Sequence, residues 1–385
     1  MKPAANNLGN LAAGRIPALD GLRGLAILLV LLWHSVFNFH FQHHPILQRV
    51  LSLGSIGWSG VDLFFVLSGF LIGGILLDAQ ESPRYYRTFY VRRAHRILPL
   101  YFAVLVPCWL LLKSLNVGWV SPAWSGLFDG PVATWTFATF TQNIGMAFAG
   151  IFSGGGFAVT WSLAIEEQFY LTLPPIIRNV SRRRLWYLVA GLIVASALLR
   201  VILIRFTPNG AFSSYVLMPC RADALGMGVL CALLVREERG RSFLNRHRRN
   251  LYVMAATMFA GILCVAGNSY ELLLNPFFGL EYSVLGLFYA LLLLIAVSQE
   301  DVFVKAVFCN RLMTGLGTIA YGTYLFHRLT IIALKIVVMR AGWRPTAAVE
   351  IGTPLLGIAV AIMLAAASWH FFEKPMVKRG HEYRY

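Results

Sequence analysis

The stretch Asp20-Gly-Leu-Arg-Gly-Leu-Ala-Ile-Leu-Leu-Val-Leu-Leu-Trp-His34 decides the fold class. Ten uncharged residues separate Arg23 from His34, and nothing among them interrupts a helix. A helix that is apolar all the way round suits lipid or the core of a bundle. At about 100° per residue, the steps from Arg23 to His34 come to about 1,100°, about 20° past three full turns. The two side chains therefore point the same way, roughly 16 Å apart along the axis. That spacing puts the guanidinium at one membrane edge and the imidazole near mid-depth. An ionisable group there is costly enough to mark a functional site, although a histidine that joins two helices fits the same spacing.

Composition carries this reading to the whole chain. Of 385 residues, 58% are hydrophobic and 13% charged, against about 25% charged in soluble proteins, and the mean hydropathy is +0.65. These values describe an all-α polytopic membrane protein. The formal net charge of +16 sits mostly between apolar runs, where topology and lipid headgroups account for it, so no nucleic-acid partner is expected. Cys108, Cys220, Cys231, Cys264 and Cys309 lie in or beside apolar stretches without metal-ligand spacing, so they read as core residues and no metal is expected. The first apolar run is longer than the core of a signal peptide and follows a polar start, so no cleavable leader is expected.

Runs long enough to span fall at about 24–42, 57–78, 96–114, 158–178, 184–204, 212–236, 250–267, 279–299, 312–337 and 351–373, which predicts ten transmembrane helices. Basic clusters at 84–96, 178–184, 236–249 and 374–384 alternate with a stretch, 114–157, that has no Lys or Arg. By the positive-inside rule the clusters, and both termini, are cytoplasmic. Arg340 and Arg344 are the one exception to the pattern. Within residues 131–157, the run from Thr134 to Asn143 is apolar enough to enter the membrane, but a full span there would invert the Arg182–Arg184 cluster. A re-entrant or interfacial segment ending at Gly154-Gly155-Gly156 is predicted instead, beside an outward-facing cavity.

Within the spans, Ser162 and Glu166 are four apart and share a helix face. The predicted boundaries put Glu166 at the depth of His34, where a carboxylate orients or charges an imidazole. Arg93 and Arg96, read as part of a loop, are three apart and face together on a helical turn. They suit either phosphate binding or a juxtamembrane anchor. Tyr321, Tyr324 and His327 share one side of the ninth predicted span and line either an acceptor path or an interfacial belt. Asp62 is a buried acid, and Arg221 and Asp223 are expected to pair with one another.

Together these residues resemble the acyltransferase-3 family of membrane O-acyltransferases, which modify surface polysaccharides, lipopolysaccharide and peptidoglycan. The likeness runs nearly end to end. It is carried by Leu19-Asp-Gly-Leu-Arg23 with His34, Gly60-Val-Asp-Leu-Phe-Phe-Val-Leu-Ser-Gly-Phe-Leu-Ile72, and Arg92-Arg-Ala-His-Arg-Ile-Leu-Pro99. Trp161-Ser-Leu-Ala-Ile-Glu-Glu-Gln-Phe-Tyr170, Tyr321 to His327, and Ser368-Trp-His-Phe-Phe-Glu-Lys-Pro375 complete it. The resemblance implies about ten helices, an acyl-CoA donor (usually acetyl-CoA) used from the cytoplasm, and a hydroxyl acceptor on a cell-surface glycan or a lipid-linked saccharide. It implies His34 as the catalytic residue, Glu166 as its carboxylate partner, and Arg93 and Arg96, with Arg23 nearby, as the donor-binding set. Ser162, Tyr324 and His327 are the candidate acceptor contacts. The expected setting is a bacterial inner membrane. One membrane domain over 1–385 is expected, without the extracytoplasmic domain fused to some relatives. A secondary transporter or lipid-linked sugar flippase is the rival reading, and the absence of an internal repeat weighs against it.

Overall fold

The computed structural model describes residues 16–37, 54–116, 122–127, 130–266, 278–298, 301–343 and 346–385. The polar start before residue 16 and positions 38–42 of the first predicted span lie outside them. The described residues form helices and no strand. In chain order the α-helices are α1 (Pro17–Leu32), α2 (Gly60–Asp78), α3 (Tyr85–Asn116), α4 (Trp135–Ala138), α5 (Gln142–Ala149) and α6 (Trp161–Asn179). They continue as α7 (Arg182–Phe206), α8 (Gly210–Val216), α9 (Met218–Arg236), α10 (Glu238–Arg246), α11 (Arg248–Ala266) and α12 (Glu281–Ser298). The last are α13 (Val302–Phe308), α14 (Arg311–Thr318), α15 (Ala320–Arg340), α16 (Ala347–Ser368) and α17 (Lys374–His381).

Among the described residues, eight helical stretches are long and apolar enough to cross a membrane: 17–35, 56–78, 85–111, 182–206, 218–236, 281–298, 320–340 and 348–381. The protein is therefore an integral membrane protein. The predicted spans at 158–178 and 250–267 correspond to α6 and α11, which lie outside that set of eight. Segment 131–157 is broken. Two short helices, α4 and α5, are followed by a left-handed turn at Gly154 (φ 89°) and Gly155 (φ 52°), a conformation that favours glycine.

Four boundaries differ from expectation for physical reasons. The first helix starts at Pro17, a residue suited to a helix's first turn, which sets Arg23 inside the helix rather than at its edge. The arginine-rich segment expected as a loop is the first part of α3, which runs through Pro99 and Pro107. Long arginine side chains can keep their charges solvated or paired while their stems pack, so dense charge need not end a helix. The sixth predicted span breaks at Leu217, where α9 restarts with proline in its first turn. The ninth breaks at Ile319, between α14 and α15.

Close packing holds α1, the helix of the opening stretch. A Cβ on Gly24 would lie 2.0 Å from the Met313 carbonyl oxygen, and one on Gly317 would lie 1.8 Å from that of Asp20. Backbone therefore meets backbone between α1 and α14, as small residues allow in membrane bundles. Gly317→Ala should push the two helices apart and cost about 1–3 kcal/mol, seen as a lowered melting temperature in detergent. An unchanged melting temperature would show that the contact is not tight.

The expected pairing of Arg221 with Asp223 is corrected. Arg221 pairs with Asp62, and Asp223 pairs with Arg200 at 2.8 Å; all four side chains are fully buried. Ser283 bridges the second pair, donating to Asp223 at 2.6 Å and accepting from Arg200 at 2.5 Å. Arg221 also lies over the Tyr282 ring, 4.0 Å from its centre. Neighbours in sequence cannot face one another when they sit two apart on a helix, so each ion finds its partner on another helix.

Candidate active site

The site residues fall into two groups joined by α1. The first is a pair of imidazoles. The π-helical turn Trp33–Phe37 continues α1 and carries His34, a local widening often found at functional sites. The His34 ring meets that of His327, on α15, edge to face, with centroids 4.9 Å apart. His34 Nδ1 lies 2.9 Å from the Val30 carbonyl oxygen, and His327 Nδ1 lies 2.7 Å from that of Tyr324. A carbonyl only accepts, so both Nδ1 atoms carry the proton and both Nε2 atoms present lone pairs. His327 Nε2 is buried and has no hydrogen-bond partner among the described residues.

The surroundings of this pair are pinned. Tyr324 shares a 2.6 Å hydrogen bond with Ser162 and donates to the Val159 carbonyl at 2.8 Å. Arg328, next to His327, donates through Nε to the Gly155 carbonyl at 3.2 Å. The glycine turn predicted from sequence thus docks on α15, and a Cβ on Gly156 would lie 2.5 Å from the Leu329 side chain. Arg328 is the charged neighbour of the imidazoles that sequence reading missed; its only signal was adjacency to His327.

The second group is cationic. Arg23, Arg93 and Arg96 lie within electrostatic reach of one another. Arg23 pairs with Asp20 at 3.0 Å. The Arg93 guanidinium lies over the Tyr170 ring, 5.9 Å from its centre. Among the described residues, neither the Arg93 nor the Arg96 side chain makes a hydrogen bond or an ion pair within 4.0 Å. Arg92, by contrast, is engaged: it donates to the Tyr383 carbonyl at 2.8 Å and lies over the Tyr385 ring. Glu373, in a second π-helical turn (Trp369–Glu373), accepts from Ser368 at 2.9 Å and lies within reach of Arg96. A cavity of about 180 Å³ opens between α1 and α2, lined by Asp20, Arg23, Leu71, Gly74, Asp78 and Arg236. It reaches Arg23 but not His34, and it is smaller than the roughly 300–1,000 Å³ that ordinary ligand pockets occupy.

Glu166 belongs with the arginines rather than with the imidazole, which corrects the expected His34–Glu166 pairing. Its Oε1 accepts from Ser68 at 2.8 Å and its Oε2 from Tyr170 at 3.0 Å. Both carboxylate oxygens are thus engaged, and the charges they face are Arg93 and Arg23. The expected equal depth of His34 and Glu166 counts about eight residues in from the outer ends of two predicted spans, at 42 and 158, and equal depth does not by itself make two side chains face one another. Glu166 turns instead to Ser68, Tyr170 and the arginines. Ser68 and Tyr170 were both inside recognised motifs, but nothing in the sequence showed that they meet. Of the remaining predicted residues, Ser162, Tyr324 and His327 form one connected set beside His34.

Apolar helices around a buried and a half-buried imidazole, with a cluster of arginines beyond, define a membrane-embedded protein built for polar chemistry. The family described as "Acyltransferase domain" matches residues 16–372; the chain belongs to the acyltransferase-3 family of membrane O-acyltransferases. It is similar to a Bacillus subtilis protein provisionally named peptidoglycan O-acetyltransferase YrhL, with 32% identity over 95% of this chain and 55% of the relative. It is also similar to the peptidoglycan O-acetyltransferase OatA of Listeria monocytogenes, with 27% identity over 95% of this chain and 56% of the relative. A Staphylococcus aureus protein, provisionally named an O-acetyltransferase, is 25% identical over 95% of this chain and 58% of its own. The chain thus spans little more than half the length of these curated relatives. No solved structure matches it.

Proposed function

We propose that this chain transfers an acyl group, acetyl being expected, from acyl-CoA to a hydroxyl of a cell-surface glycan or its lipid-linked precursor. One observation carries the reading. A single helix, α1 with the π-helical turn that continues it, bears Arg23 in a cluster of three arginines and His34 in a pair of imidazoles whose Nδ1 atoms are both held by backbone carbonyls. The roughly 16 Å between them suits a phosphate-bearing donor whose reactive thioester lies at the far end of a pantetheine arm. Arg93 and Arg96 have their guanidinium donors available to fork onto phosphate oxygens. Glu166, held by Ser68 and Tyr170, fixes the arginine faces by charge. The names of the Bacillus and Listeria relatives, both for peptidoglycan, favour a glycan acceptor.

The chemistry at His34 is either removal of the acceptor's proton or attack on the thioester. In the membrane, α6 and α11 complete ten spans with both termini cytoplasmic. This arrangement keeps the basic clusters at 84–96, 178–184, 236–249 and 374–384 inside, as expected for a bacterial inner membrane.

The arginines test the donor assignment. With reconstituted protein and acetyl-CoA, Arg93→Ala and Arg96→Ala should each raise the donor KM by about tenfold or more, the worth of a lost charge-assisted hydrogen bond. Lysine at either position should restore this only in part, since it cannot fork. An unchanged donor KM in both alanine variants would remove acyl-CoA phosphates from this site.

A further inference from the structure

The two imidazoles raise a question that the overall reaction leaves open: why a second histidine with a bare Nε2 stands against the first. We propose that His34 and His327 divide the reaction, His34 as the nucleophile that carries the acyl group and His327 as the base that takes the acceptor's proton. This rests on the acyl-transfer reading above and decides between its two chemistries.

The tautomers argue for it. With each Nδ1–H spent on a backbone carbonyl, each ring has a single reactive atom, its Nε2. A histidine that served only as helix glue would use that second nitrogen, since buried polar atoms are normally paired. That of His327 is buried and without a hydrogen-bond partner among the described residues, at a ring 4.9 Å from the other. The protein therefore keeps a base in place, at a cost, where a hydroxyl would have to lose its proton.

Charge supports the same division. The charged side chain that reaches both rings is Arg328, and the one nearby acid expected to serve, Glu166, is engaged by Ser68 and Tyr170. Two imidazolium charges at this separation, beside an arginine and with no carboxylate acting on either ring among the described residues, would repel strongly. The pair is thus suited to one positive charge at a time. In the first step His34 Nε2 bonds to the acyl carbon, the carbon–sulfur bond breaks, and CoA leaves as the thiolate. His34 is now an acyl-imidazolium, steadied by its Nδ1–H bond to Val30, and His327 is neutral. In the second step the acceptor oxygen bonds to the acyl carbon and its proton passes to His327 Nε2. The carbon–nitrogen bond breaks, and its electron pair returns to His34. The single charge moves from one ring to the other and the total is constant. His327 then gives the proton to the thiolate or to water, and the pair is neutral again.

The experiment separates the half-reactions. Purified protein in nanodiscs is mixed with acetyl-CoA labelled in the acetyl group, and free thiol and protein-bound label are followed by rapid quench, with hydroxylamine as the trap. Wild type should release a burst of CoA before acceptor is added, up to one equivalent per chain. His327→Asn and His327→Gln should keep that burst and the bound label but lose transfer to acceptor by a factor of 100 or more. His34→Ala should show neither. Retained transfer in the His327 variants would overturn the proposal. So would loss of the burst in variants whose melting temperature is unchanged, or the absence of bound label in a wild type that still transfers. A wild type that neither releases CoA nor transfers acyl groups would instead contradict the acyl-CoA reading itself.

Discussion

Replacing His34 by alanine is expected to lower acyl transfer by a factor of roughly 10²–10⁴, the usual contribution of a positioned acid–base or nucleophilic side chain. The reason is the tautomer: Nδ1 bonds the Val30 carbonyl, so Nε2 is the ring's reactive atom and no other group on α1 offers one. The π-helical turn at Trp33–Phe37 holds the ring against His327. Among the described residues His34 has no ion-pair partner whose charge its removal would strand, so the variant should insert and fold. Retention time on gel filtration and melting temperature in detergent should match wild type while O-acyl transfer falls. A His34→Ala protein with full activity would remove the imidazole from the chemistry.

Asp62→Ala should have the largest effect on stability. Asp62 and Arg221 are fully buried and paired, and Arg221 is further enclosed by the rings of Phe65, Tyr215 and Tyr282. Removing the acid leaves a guanidinium in an apolar interior without its counter-ion, which costs about 3–5 kcal/mol. The effect should spread, because Asp223 and Arg200 tie α9 to α7 and Ser283 in the same layer. The double variant Asp62→Ala with Arg221→Met should recover part of the loss, since it removes the stranded charge as well. Thermal unfolding of the two single variants and the double variant measures this coupling. A double variant no more stable than Asp62→Ala would mean that the pair does not interact as described.

Local physics made much of this molecule legible before its structure. The run from Arg23 to His34 reads as a helix because ten uncharged residues leave no alternative, and α1 is there. The facing of Ser162 with Glu166, and of Tyr324 with His327, follows from helical spacing within α6 and α15. Gly154-Gly155-Gly156 was readable as a turn because glycine alone enters the left-handed region freely, and the turn is present. Long-range partnership was not legible. Asp62 and Arg221 are separated by 159 positions, and periodicity on one helix says nothing of what stands opposite. The same gap applies to Glu166: a depth counted from the outer ends of two spans does not say which side chains stand opposite, and Ser68, Tyr170 and the arginines are what it meets. Charge density misled at 84–96, where arginines that mark a membrane edge were taken to end a helix that passes through them as α3.

The central claim is that His34 passes an acyl group from acyl-CoA to a glycan hydroxyl. Its most direct test is transfer of label from acetyl-labelled acetyl-CoA to isolated peptidoglycan fragments by purified protein in nanodiscs, wild type beside His34→Ala. The account predicts label in ester linkage on the glycan, released by mild base, with wild type alone. Equal labelling by His34→Ala, or none by a wild-type protein shown to bind acetyl-CoA, would contradict it.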